Sequence, residues 1–247
     1  MPPVQDPGID HWLTGIRRRD PTIGAEEERA LRDVFSALIH AEPDRDIVHA
    51  HQRPTDSHLL LEGWAYRYLT LSDGRRQIVS VHMPGEFIDL HSFPLQMMDH
   101  SIGAFTPCRI ALAPHARLRQ VTERHPHLAR VFWLSTLVDA AIHRQWLLGA
   151  GQRSALERIA HLLCELCVRV ESVGLSRDRR FRLPMLQSEI ADAMGITSVH
   201  ANRIVQELRG QLILTWQGRE VVILDWERLA GIAEFDPTYL NLFPSPR

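Results

Sequence analysis

The residues best suited to recognition chemistry lie between Gln187 and Leu208. Ser198, Val199, His200, Asn202 and Arg203 form a short, polar edge that ends in a guanidinium. Ile190, Ala191, Ile196, Ala201, Ile204, Val205 and Leu208 recur at spacings that bury one face of two short helices. Gly195 stands between them, where a tight turn wants a residue tolerant of positive φ. Thr197 is a good N-cap for the second helix. A polar, arginine-ended helix suits a DNA major groove, so the segment reads as a helix-turn-helix. An ordinary αα-hairpin shows similar spacing, and the context argues against it. Leu212 to Trp216 and Val221 to Leu224 flank Gln217-Gly218-Arg219-Glu220, and a hairpin after a helix-turn-helix is a wing.

Other chemistry is thinner. Cys164 and Cys167 form a C-x-x-C, and with His161 they place three potential metal ligands at i, i+3 and i+6. They lie in an apolar helix, where cysteine behaves as a small hydrophobe, and a structural zinc site wants a fourth ligand. No metal is assigned. His82, His91 and His100 are spaced nine apart, and a cupin-type metal-binding barrel enzyme is the alternative they raise. That reading needs histidines aimed inward from adjacent strands with a carboxylate partner, and the glutamate pattern is lacking. The abundance of histidine also suggests a pH-responsive domain. The sequence offers no nucleophile–base pair and no phosphate-binding glycine loop, so an enzyme is not expected.

Length and composition bound the scaffold. At 247 residues and 45% apolar, the chain has room for two modest globular domains. No run approaches the ~18 apolar residues that suggest a bilayer span, and Met1 to Pro7 lacks the basic and apolar regions of a secretory signal. Three cysteines are too few, and odd in number, for a disulfide framework, which points to a reducing cytoplasm. The net charge of −2 exerts no overall pull on nucleic acid. From Arg177 to Glu220, seven arginines face five carboxylates, a local excess of +2 that supports nucleic acid only mildly.

Residues 1–24, rich in proline, aspartate and arginine, are expected to form a flexible tail. Residues 25–125 would be a first domain. It opens with a helix from Glu26 to Ile39 and continues from Asp46 to Ala113 as short strands, among them Ser57 to Gly63, Ala65 to Leu71 and Gln77 to Met83. Ser72-Asp73-Gly74-Arg75 is a hairpin turn, and the rhythm of strands and turns suggests a closed roll or barrel. Residues 126–150 return to helical spacing, with Val131, Leu134, Val138, Ala141, Gln145 and Leu148 as an approximate a/d seam. A core helix and a dimeric coiled coil both fit it. Gly149-Ala150-Gly151 reads as a hinge. Residues 151–247 hold the helix-turn-helix and a C-terminal extension, in which Trp226 to Ala233 is expected to fold back as a short helix.

This order of elements resembles the Crp/Fnr family of bacterial transcription regulators. The pieces that carry the resemblance are Leu61-Glu62-Gly63, Asp73 to Ile78, Pro84-Gly85-Glu86-Phe87, Ser154 to Ala160, and Glu189-Ile190-Ala191 through Asn202-Arg203. Each is weak alone and specific in sequence, and together they span Glu26 to Leu224. The resemblance implies an α+β fold: an N-terminal cyclic-nucleotide-binding-like β-roll (a double-stranded β-helix), a long dimerisation helix and a C-terminal winged helix-turn-helix. It implies a homodimer on a palindrome in double-stranded DNA, with RNA polymerase as a further partner. Arg203 matches the family's base-reading arginine, bidentate to guanine O6 and N7. Val199 stands where glutamate is common; it cannot accept from cytosine N4, and a thymine methyl is its better partner. Asn202 would address adenine, with Ser198 and His200 touching bases or phosphate. Ser188, Thr197, Gln217 and Arg219 are expected on phosphates, which position rather than specify.

The sensor half departs from the cyclic-AMP-binding pattern implied by that family. The corresponding ligand-binding residues are Gly85, Glu86, Asp89, His91, His100 and Ser101. No arginine stands beside Ser101, and Glu86, Asp89 and Asp99 would repel an anion, so the effector is expected to be another small molecule, or none. The iron–sulfur cluster of oxygen-sensing relatives needs four cysteines, and Cys108, Cys164 and Cys167 are three. His91 aligns roughly with the haem-ligating histidine of carbon-monoxide-sensing relatives, and Pro2 with their other ligand. Haem, in a gas or redox sensor, therefore stays open, although one histidine does not define an axial site.

Overall fold

The computed structural model describes residues 4–245. Two compact units divide the chain. The first comprises the residues up to Leu69, Val81–Asp139 and those from Leu242; the second comprises Thr70–Ser80 and Ala140–Asn241.

The N-terminal stretch is not a loose tail. Pro7–Arg19 forms helix α1, whose start is capped by Asp6 accepting from the Gly8 amide at 2.7 Å. Pro7 occupies the first helical position, where its missing N–H costs nothing, and Arg17, Arg18 and Arg19 complement the last turn. Ile9, Trp12 and Leu13, at i, i+3 and i+4, are buried. Trp12 meets the rings of Phe35 and Phe87 edge-on at 5.4 and 5.7 Å. Composition suggested a tail, but three apolar side chains on one face decide otherwise. Arg109 ties the helix start down by pairing with Asp6.

The helix expected to reach Ile39 ends earlier. Helix α2 spans Ala25–Asp33, and Leu38 and Ile39 belong to strand β1 (Ala37–Ala41). Strands β2 (Asp46–Val48), β3 (Asp56–Glu62), β4 (Ala65–Thr70), β5 (Arg76–His82), β6 (Ser101–Ala104) and β7 (Cys108–Pro114) follow. They form two sheets, ordered β1-β7-β3 and β2-β6-β4-β5. Alternation along a strand sends side chains to two cores. Leu59 and Leu61 of β3, with Ala111 and Ala113 of β7, join Ile9, Trp12 and Phe35. Leu60, Cys108 and Ile110 face the other way, onto Ile88, Met98 and Ile102. The expected roll is thus a sheet covered on one side by helices and on the other by the second sheet.

Helix α3 (His115–Arg124) leads to α4 (Pro126–Gln152), 27 residues long. His127 anchors its start, with Nε2 2.9 Å from Asp20 and Nδ1 2.9 Å from Glu27. The expected a/d residues of α4 differ in exposure: Leu134, Val138, Ala141 and Gln145 are half-buried and Leu148 is exposed. Val131 is buried in its own chain, whereas Trp133, Leu137, Leu147 and Leu148 are exposed. At 100° per residue, Trp133, Leu137, Ala141 and Leu148 share one stripe. The hinge is also displaced: the helix runs through Gly149, Ala150 and Gly151. The break falls at Arg153, whose guanidinium donates to the Gln145 carbonyl at 3.2 Å. Ser154 then starts helix α5 (Ala155–Ser172) with a reciprocal capping box to Glu157.

In the second unit α5 is buried along most of its length. Its Glu165 has no exposed surface and accepts from Trp146 Nε1 at 3.2 Å, Arg169 at 2.9 Å and Tyr239 Oη at 2.9 Å. The remaining elements are β8 (Arg180–Arg182), α6 (Gln187–Met194), α7 (Ser198–Gly210), β9 (Leu214–Gln217), β10 (Glu220–Ile223) and α8 (Trp226–Ala233). The C-terminal extension folds back as expected: Phe235 and Tyr239 close over His161 at ring distances of 5.4 and 5.9 Å.

Candidate nucleic-acid interface

Helix α6 ends at Gly195, whose left-handed φ of +64° turns the chain at no steric cost. Thr197 caps α7, its hydroxyl accepting from the His200 amide at 3.2 Å. Ala201, Ile204, Val205 and Leu208 are buried along α7. Ile190 and Ala191 on α6 are also buried, and Ile196 is half-buried. Burying those faces leaves Ser198, Val199, Asn202 and Arg203 exposed, with His200 half-buried. Val199 is 81% exposed, an apolar side chain held in water by the geometry of the helix. Asn202 is touched only distantly, its oxygen 3.4 Å from the amides of Gln187 and Gln206. Among the described residues Arg203 makes no ion pair or hydrogen bond, so its guanidinium fork is uncommitted.

The wing stands beside this edge. Gln217 pairs with Glu220 across a two-residue turn of Gly218 and Arg219, with Gly218 at φ +59°. Gln217 and Arg219 are exposed at its tip, and Ser188 is exposed in the first turn of α6. β8 was not foreseen from the sequence. It pairs with β10 through Phe181 and Val221 and makes the wing a three-stranded sheet, which pins its base. Three residues are too short for a periodicity signal; only the buried Phe181 between two arginines hints at it.

Several of the expected ligand residues of the roll make hydrogen bonds within the fold. Gly85 takes φ +90° in the turn after β5. Glu86 bonds His82 Nδ1 and the Met83 amide, both at 3.3 Å. Asp89 is buried and accepts from the His58 amide at 2.6 Å and its Nδ1 at 2.7 Å. Ser101 accepts from the Ala50 amide at 2.9 Å. These polar groups are spent on the fold. His91 and His100 differ, each keeping an unpartnered buried Nε2, with rings 5.1 Å apart. An arginine was overlooked: Arg67 of β4 is buried, bonding the Ile88 carbonyl at 2.6 Å and Asp139 of α4 at 2.5 Å. Its only trace in the sequence is a charge between two tyrosines. Pro2 lies outside the described residues. Burial pushes up the thiols of Cys164 and Cys167, the latter to about 12, and pushes His161 down to about 4. The C-x-x-C is thus a pair of buried thiols rather than a reactive dithiol.

Comparison with known proteins agrees with this architecture. Residues 38–125 match the cyclic nucleotide-binding domain, and residues 157–232 match the Crp-like helix-turn-helix domain. The chain is 36% identical to the nitrogen fixation regulation protein FixK of Rhizobium meliloti (strain 1021), covering 67% of this chain and 72% of that protein. It is 31% identical to the transcriptional activatory protein AadR of Rhodopseudomonas palustris, covering 70% and 72% respectively. The structure of FixK2 from Bradyrhizobium japonicum superposes with a TM-score of 0.73 at 25% identity, over 79% of this chain and 96% of that one.

Fold and family matches together define a winged-helix DNA-binding regulator with a cyclic-nucleotide-binding-like β-roll, not an enzyme. The chain belongs to the Crp/Fnr family of transcription regulators. No helix among the described residues is long and apolar enough to cross a membrane.

Proposed function

We propose that the protein works in the cytoplasm as a homodimer that reads a palindromic DNA site, one α7 in each of two successive major grooves, and activates transcription through contact with RNA polymerase. The observation that carries this is the uncommitted edge of α7: Arg203 unpaired, Asn202 nearly so and Val199 held in water. Arg203 would read guanine, Val199 a thymine methyl and Asn202 adenine, while Ser198 and His200 touch bases or phosphate. Ser188, Thr197, Gln217 and Arg219 would grip phosphates. The apolar stripe of Trp133, Leu137, Ala141 and Leu148 is the natural seam for the second copy. Activation rests on the likeness to relatives named as activators.

The effector, if there is one, is a small molecule other than a cyclic nucleotide. Arg67 is the buried cation nearest the sensor histidines, and Asp139 already neutralises it. This reading carries no haem, because a single histidine does not define an axial site. Repeated selection from randomised duplexes, with the native mass measured in parallel, tests the proposal. Enrichment of a two-fold-symmetric site by a dimer supports it. A folded protein that enriches no half-site overturns it.

A further inference from the structure

Two buried histidine nitrogens in the first unit lack a partner, and their surroundings suit a cation. His91 lies in a short 3-10 turn (Leu90–Ser92), and His100 directly precedes β6. Their rings are 5.1 Å apart and tilted by 34°. Nδ1 of His100 donates to Oδ1 of Asp99 at 2.9 Å. An ionised carboxylate can only accept, so this bond places the ring proton on Nδ1 and leaves Nε2 with a bare lone pair. That Nε2 is buried without a hydrogen-bond partner, and so is Nε2 of His91. His100 is 7% exposed, so bulk water does not solve the problem. Native proteins rarely leave such atoms unsatisfied, and a missing ion is one of the standard explanations.

We propose that Nε2 of His91 and Nε2 of His100 hold one divalent transition-metal ion of the zinc class, with Asp99 as the outer carboxylate that fixes the His100 ring. One potential ligand atom from each residue lies within 4.8 Å of the other two, and no other such cluster of three occurs among the described residues. Two imidazole nitrogens favour a borderline cation; calcium and magnesium take oxygen ligands. The bond from His100 to Asp99 is also the arrangement that orients metal-binding histidines. Two protein donors leave the remaining tetrahedral positions open to water or to a diffusible ligand. The local charge permits entry. Arg67 reaches both histidines electrostatically, but Asp139 pairs with it at 2.5 Å, so those two charges and Asp99 sum to −1. The proposal is independent of the DNA-binding reading, and its test uses no DNA.

Chelator-treated full-length protein would be titrated with zinc against a chromophoric competitor, with thermal melting followed on the same samples. The variants are His91→Gln, His100→Gln, Asp99→Asn and a Cys164→Ser/Cys167→Ser control. One equivalent of zinc per chain is expected, unchanged in the cysteine control. Affinity should fall about tenfold or more in each of the other three, as metal sites respond even to loss of an outer partner. Zinc should raise the melting temperature of the native chain, with a smaller rise in those three variants. Asp99 is largely exposed, so its substitution leaves the fold intact and keeps the test decisive even if a histidine variant unfolds. Absence of saturable binding by folded native protein overturns the proposal, as does binding that survives in all three variants or disappears in the cysteine control.

Discussion

On the proposed reading, Arg203 and Val199 would divide recognition of the operator between polarity and shape. The guanidinium is free because no carboxylate on α6, α7 or the wing pairs with it among the described residues. Losing a bidentate contact costs about 1–3 kcal/mol of discrimination. Arg203→Ala should therefore weaken binding to the selected site by roughly five- to 150-fold and relax preference at one base pair, measured by fluorescence anisotropy on matched and mutated duplexes. Arg219→Ala should act differently. As a phosphate contact it would weaken all sequences alike and lower the salt slope by about 1. Val199→Glu should move the preference at its position from thymine to cytosine, because a carboxylate accepts from N4 where a methyl group cannot be packed. A selection that returns the native half-site for this variant would show that Val199 does not face a base.

At the scale of elements, three devices hold the interface and the roll in place. Thr197 caps α7, and Thr197→Ala should cost about 0.5–2 kcal/mol in urea unfolding. Glu165 joins α4, α5 and the C-terminal extension through three hydrogen bonds. Replacing it with leucine would remove the carboxylate that pairs with Arg169, itself 5% exposed, and should destabilise the chain by about 3–5 kcal/mol. His127 joins α1, α2 and α4. With a carboxylate on each ring nitrogen both must donate, so the imidazolium is favoured, chiefly by the bond to Asp20, and its pKa is raised. Its contribution is full below the unfolded value near 6.5 and is lost as pH rises through the higher folded value. His161 works in the opposite sense. Held neutral by burial at about 4, it destabilises the fold as pH falls from 6.5 toward that value. Melting temperature against pH should show both arms, with the alkaline arm reduced in His127→Gln, His58 beside Asp89 supplying the rest, and the acid arm reduced in His161→Phe.

For the whole molecule, the exposed stripe on α4 is what a monomer least accommodates. Trp133 is 65% exposed and Leu137 49%, on a helix otherwise tied to its own chain by Val131, Phe132 and Ile142. Leu137→Asp should shift sedimentation from dimer to monomer and, by removing the second half-site, abolish tight operator binding while each α7 stays folded. The operator half-sites should lie one helical turn apart, about 34–36 Å, because that spacing lets two recognition helices meet the same face of the duplex.

The helix-turn-helix was legible because its determinants are local: a glycine at the turn, a threonine cap and apolar residues at helical period. The strands of the roll were legible for the same reason, through alternation and an Asp-Gly turn. Local pattern also fixed which side chains α7 leaves in water, since whatever is not buried along a helix must face out. Helix α1 was invisible because its three anchoring residues acquire meaning only against Phe35, Phe87 and Leu59, which are distant in the chain. The true exposed stripe on α4, the displaced hinge, the burial of Arg67 with Asp139, and the meeting of His91 with His100 were likewise decided by tertiary structure. Each depends on which of several equivalent faces finds a partner, and that choice is made by packing rather than by spacing.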